Sequence, residues 1–258
     1  MLGAIAGDII GSVYEGRRSR IKTTVFPLFQ LRSTFTDDTV LTIAVADAIL
    51  NQQPYGPTIQ KWGLSYPDAG YGGAFYDWLH DPSLAPYNSW GNGSAMRVSP
   101  VGFAFSSVDD VLAEAEQTAI VSHNHPEGVK GAQAIALAVF LARTGSSKDD
   151  IRKEITTRFG YVLTQTLAEI RPYYEFDVSC QGSVPQSIIA FLESDSVESA
   201  IRNAVSLGGD TDTMACMAGG MAEAYYKHIP AEITEQVRLR LPEEMLVILD
   251  RFQSRFPA

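Results

Sequence analysis

Three stretches of helical length carry almost no polar face, and they constrain the fold more than any other feature of this 258-residue chain. They are VLTIAVADAIL at 40–50, VKGAQAIALAVFLAR at 129–143 and MACMAGGMAEAYY at 214–226. A helix without a solvated stripe has to be enclosed by others, so these read as central buried helices. The N-terminal stretch 1–14 adds Gly3, Gly7 and Gly11 at a four-residue spacing, with Ala4 and Ala6 between them. Each glycine costs a helix about 1 kcal/mol relative to alanine, so a stripe of them predicts a helix pressed against another backbone. Amphipathic helices are expected at 108–121, 148–159, 185–193, 197–206 and 242–252. Period-two alternation is almost absent, and YYEFDVS at 173–179 is the best strand candidate. The fold class expected is all-α.

No linker, repeat or low-complexity tract divides the chain, and its length suits one continuous core, so a single domain over 1–258 is expected. Loops near 52–57, 63–73 and 81–94 carry Gly, Pro, Asn and Tyr and are candidates for a binding face. With 20 Lys and Arg against 30 Asp and Glu, the net charge of −10 argues against a nucleic-acid partner, which needs clustered basic residues. Cys180 and Cys216 are the only cysteines, too far apart for a zinc ribbon or a disulfide framework. The apolar N-terminus has no basic flank before it and is interrupted by Asp8, so no signal peptide or membrane span is expected and the localisation expected is cytoplasmic.

Thr36-Asp37-Asp38-Thr39 stands directly before the buried helix at 40–50. Capping and the helix dipole account for acids there. Gly208-Gly209-Asp210-Thr211-Asp212-Thr213 repeats the arrangement before the helix at 214–226, and two such motifs exceed what capping needs. If the two helix starts meet, four carboxylates share a small volume and need compensation. Two divalent cations would provide it, bringing the charge from −10 to about −6. Carboxylate and hydroxyl donors suit magnesium, manganese or calcium. His123-Asn124-His125 is the only HxH and has no cysteine beside it, which disfavours zinc. It also spells a nuclease motif, but without the β-hairpin context that motif needs. Glu15 follows the glycine-striped helix and is either an exposed helix-end acid or a candidate ligand and general acid/base. The segment behind it, Gly16-Arg17-Arg18-Ser19-Arg20, reads as mobile. Glycine-rich runs at 68–73, 87–94 and 122–128 permit close backbone approach to a phosphate without basic side chains.

Taken together, G-D-I-I-G-S-V-Y-E at 7–15, F-T-D-D-T at 35–39, G-Y-G-G at 70–73, G-N-G-S-A-M-R at 91–97, S-H-N-H-P-E-G at 122–128, S-V-P at 183–185 and G-G-D-T-D-T at 208–213 resemble the ADP-ribosylglycohydrolase family. The resemblance covers nearly the whole chain and looks like a compact bacterial branch. It implies a compact orthogonal helical bundle with a binuclear magnesium or manganese site, and a hydrolase that cleaves at C1 of the proximal ribose of ADP-ribose. Thr36, Asp37, Asp38, Asp210, Asp212 and Thr213 are implied as metal ligands. Glu15, Asp38 and Asp212 are the carboxylates assigned to bond cleavage, Glu15 as a mobile acid/base group that gates access. Gly72, Gly91, Asn92, Gly93, Ser94 and His123 fall where family loops hold the phosphates and ribose. Asp68 is placed to meet a guanidinium, and Tyr71, Tyr87 and Phe176 are candidates for the adenine pocket. The implied partner is an ADP-ribosylated protein or an ADP-ribose-containing small molecule, with no membrane and no nucleic acid. A different hard-metal hydrolase, acting on a nucleoside or phosphoester, and a non-catalytic ADP-ribose-binding module are the alternatives.

Overall fold

The computed structural model describes residues 1–16 and 21–257. In chain order the helices are α1 Leu2–Gly11, α2 Asp37–Asn51, α3 Tyr55–Ser65, α4 Gly73–Leu79, α5 Gly93–Met96, α6 Ser99–Ala104, α7 Val108–Ile120 and α8 Pro126–Arg143. They continue as α9 Lys148–Phe159, α10 Leu167–Ile170, α11 Cys180–Leu192, α12 Val197–Val205, α13 Thr211–Tyr226, α14 Ala231–Arg238 and α15 Glu243–Arg255. Pairing outside helices, among the described residues, is limited to the isolated bridges Gly16–Gly209 and Gly91–Ser179, so the fold is all-α. None of the described helices is long and apolar enough to cross a membrane. Residues 17–20, read from the sequence as mobile, lie outside the described residues.

The three apolar stretches are α2, α8 and α13, and they sit at the centre. α13 packs against α1, α8, α11 and α12, while α8 also meets α6 and α7. The glycine stripe does what its spacing predicts. A Cβ on Gly7 would lie 2.0 Å from the Ala215 carbonyl oxygen, and one on Gly3 would lie 2.4 Å from that of Gly219. α1 therefore rests on the backbone of α13, a distance at which no side chain fits.

Two expectations need correcting. The 173–179 segment is not a strand: Asn92 N–H donates to the Val178 carbonyl at 2.8 Å and Cys180 N–H to the Trp90 carbonyl at 3.1 Å, a one-residue pairing that ends at once. Among the described residues its alternation has no partner strand beyond that bridge, and at Ser179 the chain turns into α11, whose start it caps by accepting from Gly182 N–H. That cap starts α11 five residues before Pro185, where the sequence placed the helix start.

Candidate active site

The two acidic helix starts meet because α1 holds both. Asp8, fully buried on α1, accepts from Thr36 N–H at 2.9 Å, Thr36 Oγ1 at 2.7 Å, Thr39 N–H at 3.1 Å and Thr39 Oγ1. Thr211 Oγ1 donates to the Gly11 carbonyl at 2.9 Å, tying the start of α13 to the end of the same helix. Gly208 and Gly209 take φ of +73° and +81°, a left-handed turn that glycine adopts without strain, and the chain re-enters at Asp210. In the sequence Asp8 reads as an interruption of an apolar run and as part of the G-D-I-I-G-S-V-Y-E motif, with no role of its own. The signal was there: a carboxylate inside an all-apolar helix must find donors to be buried.

Thr36, Asp37, Asp38, Asp210, Asp212 and Thr213 all line one cavity of about 450 Å³, with Glu15 at its edge. Carboxylate oxygens of Asp8, Asp38 and Asp212 lie within 4.8 Å of one another, as do those of Glu15, Asp210 and Asp212. Thr213 Oγ1 donates to Asp38 Oδ2 at 3.1 Å, and Asn92 Nδ2 donates to Asp210 Oδ2 at 2.7 Å. Asp38 Oδ1 is buried with no hydrogen-bond partner. Burial, and then the neighbouring acids, push Asp38 and Asp212 well above the usual carboxylate range; Asp37 is pushed up to about 8 by lost hydration, Asp8 and Asp210. Glu15 is raised by lost hydration and then by Asp210 and Asp8. A bare all-oxygen donor set, crowded and with an orphaned carboxylate oxygen, fits a hard divalent cation.

The rest of the lining is built largely from loops. Asn88 N–H donates to Asn124 Oδ1 at 2.8 Å, and with the Asn92–Val178 bond this gathers the segments around 88, 124 and 178. Gly72, Gly91, Asn92, Gly93 and His123 line the cavity, as do Tyr87 and Phe176 among the aromatic candidates. Ser94 does not: it is fully buried behind the wall, its hydroxyl donating to the Gly128 carbonyl at 2.8 Å. Asp68 is exposed and borders a separate recess with Thr34, Phe35 and Ser65. Tyr71 also stands off the cavity lining, its ring packed on Phe75 at 5.6 Å. Of the three loop regions, 52–57 is elsewhere, since α3 begins at Tyr55 and Gln52, Gln53 and Tyr55 edge a different recess. Sequence reasoning passed over Arg97, which ends the quoted G-N-G-S-A-M-R run and lines this cavity although its side chain is fully buried from solvent.

A family model described as ADP-ribosylglycohydrolase matches residues 1–257. ADP-ribosylhydrolase ARH3 of Homo sapiens is 28% identical over 304 residues, covering 88% of this chain and 84% of that protein. ADP-ribosylarginine hydrolase Tri1 of Pseudomonas putida (strain GB-1) is 25% identical over 275 residues, covering 92% of this chain and 72% of that protein. A solved structure described as an ADP-ribosylglycohydrolase-related protein complex superposes with a TM-score of 0.75 over 98% of this chain and 96% of that one, at 23% identity, and so shares the fold. With the family's model running along all but the last residue, and the acidic motifs at α2 and α13 meeting in one cavity, this chain belongs to the ADP-ribosylglycohydrolase family.

Proposed function

We propose that the chain, as one catalytic domain, hydrolyses the bond at C1 of the proximal ribose in ADP-ribosyl adducts, releasing ADP-ribose from a modified protein or small molecule. The observation that carries this reading is the convergence of two acidic helix starts on a cavity that glycine-rich loops also line. Thr36, Asp37, Asp38, Asp210, Asp212 and Thr213 would hold two hard divalent cations, magnesium or manganese, which when bound fix a ribose diol and acidify water. The glycosidic bond breaks through an oxocarbenium-like transition state, whose positive charge the carboxylates of Asp38 and Asp212 favour. Glu15, close to Asp210 and Asp212 but at the exposed edge, takes a proton from the attacking water or returns one to the departing heteroatom. The water oxygen bonds to C1, and the bond from C1 to that heteroatom breaks with its electron pair on the heteroatom. Gly72, the 91–93 loop and His123 orient the phosphates. No covalent nucleophile is called for, and Cys180, its thiol pushed up to about 12 by burial, does not offer one.

The name of the Pseudomonas relative specifies arginine. Asp68, the residue expected to meet a guanidinium, stands outside the cavity wall, so recognition of an arginine leaving group falls to other residues. Incubation with ADP-ribosyl-arginine, ADP-ribosyl-serine, nucleoside and phosphoester substrates, with magnesium or manganese and after chelation, tests the reading. Metal-dependent release of ADP-ribose is expected from at least one adduct. Release from none, with turnover of a phosphoester or with ADP-ribose bound but never produced, overturns it.

A further inference from the structure

A buried cation lines the cavity beside the loops with no opposite charge against it. Arg97 is fully buried, and among the described residues no carboxylate pairs with it. Its hydrogen bonds leave only from Nη2, to the Thr118 carbonyl at 2.7 Å and to Ser122 Oγ at 3.0 Å, while Nε and Nη1 have no partner. Burial lowers its pKa to about 10, so it keeps its charge at neutral pH. Ser122, also fully buried, places its Oγ 2.8 Å from His123 Nδ1.

The hydrogens can be assigned from this chain of contacts. A serine hydroxyl has one hydrogen to donate and two lone pairs to accept on. Arg97 occupies a lone pair, and its charge turns the hydroxyl hydrogen away, toward His123 Nδ1. The reverse arrangement, Nδ1–H donating to Ser122, strands the hydroxyl hydrogen in a buried place without an acceptor. Nδ1 therefore accepts, and the neutral ring carries its proton on Nε2. Burial and then the Arg97 charge hold His123 well below the usual histidine range. Nε2 is on the side of the glycine loop: a Cβ on Gly93 would stand 2.9 Å from it and one on Gly91 3.7 Å. Among the described residues no acceptor faces it.

We propose that Arg97 and Ser122 are positioning residues that lock His123 as a neutral Nε2–H donor aimed at an anionic diphosphate oxygen of the substrate. This rests on the ADP-ribosyl reading above and deepens it. The cavity is lined by the carboxylates of Glu15, Asp37, Asp38, Asp210 and Asp212 and also by the uncompensated guanidinium of Arg97. An anionic group is repelled by the carboxylates and drawn to the guanidinium. Neutral His123 supplies direction there without adding a second buried charge.

The test begins on the ligand-free protein with nitrogen-15 NMR of the histidine rings, His123 being assigned by its loss in His123→Ala. Parental His123 is expected as the Nε2–H tautomer and neutral at pH 7. Ser122→Ala, and separately Arg97→Met, should mix the two tautomers and weaken ADP-ribose binding by about tenfold, the scale of one lost hydrogen bond. Arg97→Lys should restore both. Magnesium or manganese titration should be unchanged in all three, which separates positioning of His123 from general damage. An Nδ1–H or doubly protonated parental His123 overturns the proposal, whether or not any variant folds. So does Ser122→Ala with the parental tautomer and affinity. If the parental protein binds no ADP-ribose at all, the functional reading fails while the tautomer still decides this one.

Discussion

Asp8 commits both oxygens to the first turn of α2, and Thr36 and Thr39 answer with backbone and hydroxyl donors alike. That makes it the residue that aims Asp37 and Asp38 rather than one that faces the cavity, which it does not line. Asp8→Asn keeps the shape but replaces an acceptor with an NH₂ group against Thr39. The fold should survive, while calorimetric titration with manganese should show affinity reduced by about 10–100-fold, as for other residues that orient metal ligands. Parental affinity would show that Asp8 only caps. Glu15 and Asp212 share one cluster with Asp210 but differ in setting, Asp212 being buried and Glu15 exposed. Asp212→Ala should lose metal and activity together. Glu15→Gln should keep most metal and ADP-ribose binding yet lose turnover by about 10²–10⁴-fold. Metal occupancy and single-turnover hydrolysis, measured on both, settle the division; a Glu15→Gln protein that turns over at the parental rate contradicts it.

At the scale of elements, the most legible features were those whose physics is local. An all-apolar helix can only be central, and a stripe of glycine can only mean backbone contact, so α1, α2, α8 and α13 were visible in the chain alone. The stripe supports a direct prediction. A methyl group at Gly7 meets the Ala215 carbonyl oxygen at 2.0 Å, and the obstacle is backbone, which cannot swing aside. Gly7→Ala raises helix propensity, yet it should destabilise the protein by about 3 kcal/mol or more, because overpacking at this contact outweighs propensity. Chemical denaturation measures it, and a variant as stable as the parent would mean α1 can slide on α13. What the sequence hid was non-local. α3 carries Gly56, Pro57 and Gly63 yet forms because Ile59 and Trp62 are buried, and α4 opens on glycine yet buries Phe75, Trp78 and Leu79. Packing overrode propensity in both. In α14 the pair Ile233 and Val237, one turn apart, was a readable signal left unread. The site followed the same rule. Thr36, Asp37, Asp38, Asp210, Asp212 and Thr213 stand out in the sequence because they repeat a motif at two helix starts, and all six line one cavity. Ser94 and Asp68 were assigned to the cavity by motif alone, and the structure places one behind its wall and the other beside a separate recess.

For the molecule as a whole, the acidic cluster trades stability against function, and pH and metal reveal the trade. Burial first, then mutual repulsion, raises Asp37 from an ordinary 3.8 to about 8, and Asp8, Asp38, Asp210 and Asp212 also move upward. In the unfolded chain these groups ionise near their ordinary value, so above it the folded state binds more protons than the unfolded one. Stability then falls as pH rises: the contribution is fully present below the unfolded pKa and is lost as pH passes through the folded one. The net charge of −10 adds self-repulsion of the same sign. After chelation, the melting temperature should decline steadily from about pH 5 to about pH 8. A divalent cation competes with those protons and binds only the folded arrangement, so it should stabilise more at pH 8 than at pH 5, flattening or reversing the slope. Thermal melts over that range, with chelator and with saturating magnesium or manganese, give both slopes. A chelated protein whose melting temperature climbs toward pH 8 would show that these five acids already have their countercharge within the fold, and the cluster would lose its reason to bind metal.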